Sequence, residues 1–228
     1  YRTPKYEAII KGINWINNYI NNYEIKYISP SGKNLYNYNI NIRSNILSNI
    51  SILEIKPLDR TDILNNSWLA GFTDADGYFY IGLNKSKNKE KINLSYRIEI
   101  RQSYHRDNPF NVDKSYYFIM QNIASSFNSS LYSRVRNIKL YSKDDKLYYS
   151  YIVSVNNINN LKLVNNYFSK YNLLSSKYLN YKDWSKLLLF ILNKSNRSTN
   201  PECISLGKEI IKNFNKNRVS YNWDHLNI

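Results

Sequence analysis

Apolar residues fall into different rhythms along this chain. In YRTPKYEAIIKGINWINNYI, Tyr6, Ile9, Ile10, Ile13, Ile16 and Ile20 recur at helical spacing, which predicts an amphipathic helix within residues 1–20. Residues 21–65 hold no sustained period. They are rich in Asn and Ser and contain Pro30, Gly32 and Pro57, so they read as a linker with room for short strands.

From Asn66 the pattern is regular. A helix is expected through WLAGFTDAD, with Asn66 or Ser67 as its cap and Gly77 ending it in a left-handed conformation. YFYIGLN then alternates as a strand, and INLSYRIEIRQ does so more fully. Ile92, Leu94, Tyr96, Ile98 and Ile100 fall on one face, and Asn93, Ser95, Arg97, Glu99 and Arg101 on the other. The first face is core and the second is charged.

Tyr116, Ile119, Met120, Ile123 and Phe127 share one side of a helix over residues 115–127 and read as core rather than as a cofactor box. LYSRVRNIKLYS and KLYYSYIVSV are strands joined by the polar turn SKDDK. Helices follow around 158–171, 181–193 and 201–215, the last with Asn200 as cap and Pro201 at its first position. The order is helix, two strands, helix, two strands, helices. It predicts an α+β fold with an antiparallel sheet covered on one face by helices.

Charge then narrows the function. The 228 residues include 32 Lys and Arg against 17 Asp and Glu, a net charge of +15, which makes a polyanion, foremost nucleic acid, the expected partner. Simple solubility or a ribosome-like structural role fits the same charge. Cys203 is the single cysteine, so neither an internal disulfide nor a cysteine zinc site can form. His105 and His225 are too few for a histidine metal cluster, which leaves oxygen ligands for any metal. No apolar run reaches the length of a membrane span.

The stretch WLAGFTDADG carries the chemistry. Gly71 and Ala75 lie four residues apart with Ala70 beside them, and small residues at this spacing let two helix backbones approach closely. A tightly packed core helix would look the same. Asp74 and Asp76 stand in the last turn, where the helix dipole disfavours carboxylates by roughly 0.3–1 kcal/mol each. Two such helices side by side would bring their carboxylates together, and a divalent cation would compensate.

LAGFTDADG, residues 69–77, resembles the signature of the LAGLIDADG family of intron-encoded homing endonucleases and RNA maturases, differing from the family name at Phe72 and Thr73. The resemblance spans residues 66–228 as the LAGLIDADG domain and implies the family's α-β-β-α-β-β-α fold. It also implies a helix interface containing Ala70, Gly71 and Ala75, and Asp76 as the catalytic ligand of a divalent cation such as Mg2+. Asp74 would support the helix end. Gln102, whose parity puts it on the core side, matches the family's polar active-site position, and Lys177 matches its active-site lysine. A solvated surface residue is the plainer reading of Lys177. The sheet would supply the nucleic-acid surface through Arg97, Arg101, Arg134 and Arg136. The implied partners are a double-stranded DNA target or group I intron RNA, with a second LAGLIDADG half.

The chain holds one such motif, whereas double-motif relatives carry two halves. RTPKYEAIIKGINW resembles the segment that closes the first half of double-motif mitochondrial intron proteins. It also parallels SSKYLNYKDW, since Lys5-Tyr6 and Lys177-Tyr178 are each followed by a tryptophan, Trp15 and Trp184. Residues 1–20 then read as the tail of a first half. Abundant Asn, Ile, Lys and Tyr suggest AT-biased coding, as in a fungal mitochondrial genome, and the lack of a targeting segment agrees with a protein made in the mitochondrial matrix. Three functions remain open: a metal-dependent, site-specific DNA endonuclease, a maturase that grips intron RNA without cutting, and a structural RNA-binding component of a ribonucleoprotein. Intact Asp76, Gln102 and Lys177 favour the first, and the single motif favours the other two.

Overall fold

The computed structural model describes residues 2, 5–22, 52–86, 89–104, 115–138, 146–193 and 198–226. The chain divides into two units, Tyr1–Arg60 and Thr61–Ile228. The expected linker lies mostly at residues 23–51, outside the described residues, as does most of the SKDDK turn.

In the first unit the helical spacing of the isoleucines produces α1, Tyr6–Asn22, with Ile13 buried. A short extended segment runs beside it. The Asn17 amide donates to the Leu53 carbonyl and accepts from the Leu53 amide, both at 2.8 Å, and Arg2 pairs with Asp59 at 2.8 Å. Trp15 stays largely exposed and stacks on Tyr19.

The second unit follows the expected order. The motif helix α2 is Trp68–Asp76, followed by β1, Gly77–Ser86, and β2, Lys89–Arg101. Then come α3, Tyr117–Ser126, β3, Leu131–Ile138, and β4, Lys146–Val155. Helices α4, Ile158–Lys170, α5, Lys177–Asn193, and α6, Pro201–Ile211, complete it. The strands form one antiparallel sheet in the order β1-β2-β4-β3. Asn200 caps α6 as its position predicts, accepting from the Glu202 amide at 2.8 Å.

Alternation decides which side of the sheet is dry. Ile92, Leu94, Tyr96 and Ile98 of β2 pair across with Leu83, Ile81, Phe79 and Gly77 of β1, and the helices cover this face. Phe79 lies at the centre, its ring 5.2–5.4 Å from those of Tyr96, Phe168, Tyr181 and Trp184. Each fully buried aromatic or aliphatic side chain contributes about 1.5–3 kcal/mol through loss of water contact, so this cluster anchors the helices to the sheet. The opposite face carries Tyr78 and Tyr80 of β1, Arg97, Glu99 and Arg101 of β2, Tyr148 and Ser150 of β4, and Tyr132, Arg134 and Arg136 of β3. It is left open.

Gly77 differs from expectation. Its φ of −89° and ψ of 164° are extended, so the chain leaves α2 straight into β1 without a left-handed residue. Glycine is required for space instead, since a Cβ there would sit 2.7 Å from Thr73 Cγ2 and 3.1 Å from Thr73 Cα.

Candidate active site

The motif helix starts from a polar relay. Asn66 Oδ1 accepts from the Trp68 amide at 3.0 Å, while the Tyr167 hydroxyl accepts from the Ala70 amide at 3.0 Å and donates to the Asn66 carbonyl at 2.8 Å. The Trp68 amide of the first turn is thereby satisfied, and the Ala70 amide is shared between the Tyr167 hydroxyl and the Ser67 carbonyl at 3.1 Å. Ser67 makes no side-chain cap bond, so Asn66 is the capping side chain.

The other end of α2 gathers the charged side chains Asp74, Asp76 and Lys177. Lys177 opens α5 and sends its Nζ to the carbonyls of Thr73, Asp74 and Ala75 at 3.0, 2.8 and 3.1 Å. A cation on the carbonyl end of a helix is favourable, so this ammonium offsets the dipole that disfavours Asp74 and Asp76. Burial lowers the pKa of Lys177 below that of an ordinary lysine, and the charges of Asp74 and Asp76 oppose that shift.

The two aspartates are treated differently. Asp74 Oδ2 accepts from the Leu174 amide at 2.8 Å, and Oδ1 accepts from both the amide and the hydroxyl of Ser175. Both its oxygens are thus committed to the turn that leads into α5. Asp76 is exposed, and no described side chain hydrogen-bonds or ion-pairs with it. Its carboxylate is open to a cation. Among the described residues no group of three or more His, Cys, Asp or Glu side chains converges here.

Gln102 sits one residue beyond β2, with its amide bonded to the Tyr149 carbonyl and its carbonyl to the Tyr116 amide. Its side chain donates to Ser133 Oγ at 2.6 Å. Ser133 shares the helix-side face with Leu131, so the expected parity of Gln102 is realised, but no hydrogen bond joins it to Asp76 or Lys177. Tyr116 connects the two places. Burial raises the pKa of its hydroxyl, and the neighbouring Tyr104 and Asp76 raise it further. From the sequence, Tyr116 reads only as a core residue.

The small-residue stripe also divides. Gly71 and Ala75 are exposed, and a Cβ on Gly71 would meet nothing within 4 Å. Ala70 turns the other way and is buried in the core of its own unit. The exposed small residues of α2 are therefore Gly71 and Ala75, without Ala70.

All four arginines singled out from the sequence lie on the open sheet face. Arg101 and Arg134 both stand opposite Ser150, from β2 and β3 respectively, while Arg97 faces Ser154 and Arg136 faces Tyr148. The guanidinium groups of Arg101 and Arg136 lie 5.6 and 5.9 Å from the Tyr148 ring centroid, within cation–π range. Beside Lys177, a small cavity of about 260 Å³ is lined by Tyr78, Ser176, Asn180, Lys216 and Tyr221. The segment carrying Lys216 is fastened by Asn215, whose φ is 52° and whose side-chain amide donates to the Phe79 carbonyl at 3.0 Å.

An acidic helix end set against a basic, open antiparallel sheet defines a recognisable class of α+β protein. The chain belongs to the LAGLIDADG endonuclease family, whose model matches residues 69–188. It is 42% identical over 231 residues to the intron-encoded DNA endonuclease aI3 of Saccharomyces cerevisiae, which covers 99% of this chain and 51% of that protein. It is 32% identical over 134 residues to an uncharacterized cox1 intron-2 protein of 37.2 kDa from Schizosaccharomyces pombe, covering 59% and 34%. The chain thus spans about half of the first relative and a third of the second. In fold it is similar to the crystal structure of the I-SmaMI LAGLIDADG homing endonuclease bound to cleaved DNA. That likeness has a TM-score of 0.51 at 20% identity, over 92% of this chain and 59% of that one.

Proposed function

We propose that this chain is one half of a site-specific, divalent-metal-dependent DNA endonuclease, acting in the mitochondrial matrix of a fungus-like host. The observation that carries the reading is the contrast at the end of α2: Asp74 has both oxygens committed, whereas Asp76 has neither. The match to an intron-encoded DNA endonuclease over almost the whole chain supports the same reading.

In this reading Gly71 and Ala75 form the face against which a second LAGLIDADG helix packs, bringing its terminal carboxylate beside Asp76. The two carboxylates would hold a hard cation such as Mg2+, which would supply Lewis acidity and an activated water. Lys177 keeps a positive charge at the helix end, where the charge of a phosphate under attack develops. Gln102 and Tyr116 bound the site from the end of β2. The open sheet face takes the duplex, with Arg97, Arg101, Arg134 and Arg136 available to phosphates and to base edges in the major groove.

The test uses a polypeptide extended to the two-motif length, incubated with a duplex carrying the joined exon sequence and Mg2+. A double-strand cut is expected, and Asp76→Asn should abolish it while leaving duplex affinity within a few fold, because an amide fills the same space but ligates Mg2+ poorly. Undiminished cutting by the variant would remove Asp76 from the chemistry. Tight binding of intron RNA with no cut by the unmodified protein would replace the endonuclease reading with that of a maturase.

A further inference from the structure

The open sheet face is basic except at its middle. Glu99 is the one acidic side chain among the described residues of that face, and it lies at the centre of the proposed contact arginines. Its Oε2 is 2.5 Å from Arg97 Nη2 and 3.9 Å from Arg134 Nη1. Its Oε1 accepts from Arg136 Nη2 and from Ser150 Oγ, the latter at 2.8 Å. The side chain is only 15% exposed. Burial pushes the Glu99 carboxyl upward, but hydrogen bonds from Arg136, Ser150 and Arg97 outweigh it and leave the pKa below the ordinary value. The group is therefore a carboxylate at neutral pH.

An ionised acid on a surface that meets phosphates weakens that meeting by like-charge repulsion. Its positive contribution is order. Arg97 and Arg136 come from strands on either side of β4, and Glu99 ties one Nη of each to a fixed point while Tyr148 flanks Arg136. The remaining N–H groups of each guanidinium keep a set direction. An arginine reads guanine with two parallel N–H bonds and needs its fork oriented, whereas a phosphate contact tolerates a mobile cation. Arg101, on the same face, also lies over the Tyr148 ring at 5.6 Å but forms no ion pair with a described acid, so it is the contrasting cation that keeps its full charge for phosphates.

We propose that Glu99 is a specificity-determining positioning residue, which clamps Arg97 and Arg136 for base edges and withholds them from phosphates. The proposal rests on the nucleic-acid reading above.

The experiment compares the unmodified chain with Glu99→Gln, Ser150→Ala and the charge control Glu209→Gln, which lies exposed on α6, away from the open face. Each is used to select from a randomised duplex pool, followed by affinity measurements on enriched and scrambled duplexes across a salt series. Arginine Nε–H relaxation is measured without DNA. Glu99→Gln should bind scrambled duplex several-fold tighter, with a salt slope steeper by about one to two units. It should lose preference at one or two adjacent positions by about 5- to 150-fold. Guanidinium motion of Arg97 and Arg136 should quicken, Ser150→Ala should show a weaker form of the same changes, and Glu209→Gln should leave the preference intact.

The proposal is overturned if Glu99→Gln shifts every affinity by one common factor. It is equally overturned if preference is lost while guanidinium motion is unchanged, which would mean that Glu99 touches a base itself. An unmodified chain that enriches no sequence overturns the nucleic-acid reading and this proposal with it. An unchanged preference in Glu99→Gln, with a motif still enriched by the unmodified chain, overturns the clamp alone.

Discussion

Asp74 and Asp76 are two residues apart, yet one is structural and the other free, and the difference follows from which way each points at the end of a helix. Asp74 reaches the amides before α5, while Asp76 is exposed and bonds to no described side chain. Lys177 connects the two functions, because its ammonium closes the carbonyl end of α2 from the first residue of α5. In the endonuclease proposed above, Lys177→Met should lower the cleavage rate about 10²- to 10³-fold, the scale of losing one preorganised charge-stabilising donor. Duplex affinity should change little. The pH profile supplies a sign. Burial holds the Lys177 pKa below the usual lysine value, so activity that needs the ammonium is present at low pH and falls as pH rises through that lowered pKa. Single-turnover rates should therefore show an alkaline limb beginning below pH 10.5, and Lys177→Met should lack it. A limb that persists in the variant would assign the titration to another group. Thr73, where the chain departs from the family name, is also explained at this scale: its buried hydroxyl bonds the Tyr96 hydroxyl at 2.7 Å, pairing two groups that would each be costly alone.

Elements were largely legible in the sequence because their signals are local. Alternation in β2 and the Asn200-Pro201 start of α6 gave the correct faces and the correct cap. The start of α5 was missed by four residues, since its supporting acid is Asp74, about a hundred residues away, and no nearby pattern announces it. Gly77 reads as a left-handed cap for a related reason: glycine signals either a dihedral or a shortage of space, and only the position of Thr73 distinguishes them. Ala70 is buried in the core of its own unit, and the sequence does not separate it from Gly71 and Ala75 because small residues suit core and interface alike. Two glycine substitutions should separate these cases. Gly71→Leu meets open space, so melting of the chain alone should be unchanged or slightly raised by the better helix propensity, by up to about 1 kcal/mol. Pairing with a second motif helix, measured by sedimentation, should be lost. Gly77→Ala should do the reverse, destabilising the chain by about 1–3 kcal/mol through overpacking against Thr73. If Gly71→Leu still pairs with a second motif helix, the exposed stripe is not the interface.

For the whole molecule, the net charge of +15 is partly presented on the sheet, where the proposed nucleic-acid surface lies. Sequence alternation put the four arginines on polar faces, but the order β1-β2-β4-β3, which brings Arg101 and Arg134 to either side of Ser150, depends on long-range pairing that no local pattern encodes. The same pairing makes the arginines unequal. Arg97, Arg134 and Arg136 surround Glu99, whereas Arg101 has only the Tyr148 ring for a described neighbour of this kind. A cation already neutralised by a carboxylate displaces fewer counterions when DNA arrives, because part of its charge is spoken for in both states. Arg101→Ala should accordingly lower the slope of log affinity against log salt by about one unit on any duplex, cognate or scrambled. Arg97→Ala and Arg136→Ala should lower that slope by less and act mainly on the cognate site, each by about 1–3 kcal/mol. The measurement is a salt titration of duplex affinity for the three variants on both sequences. Equal slopes and equal losses for all three would mean that the face acts as an undifferentiated basic surface, and recognition would then have to come from other parts of the assembled protein.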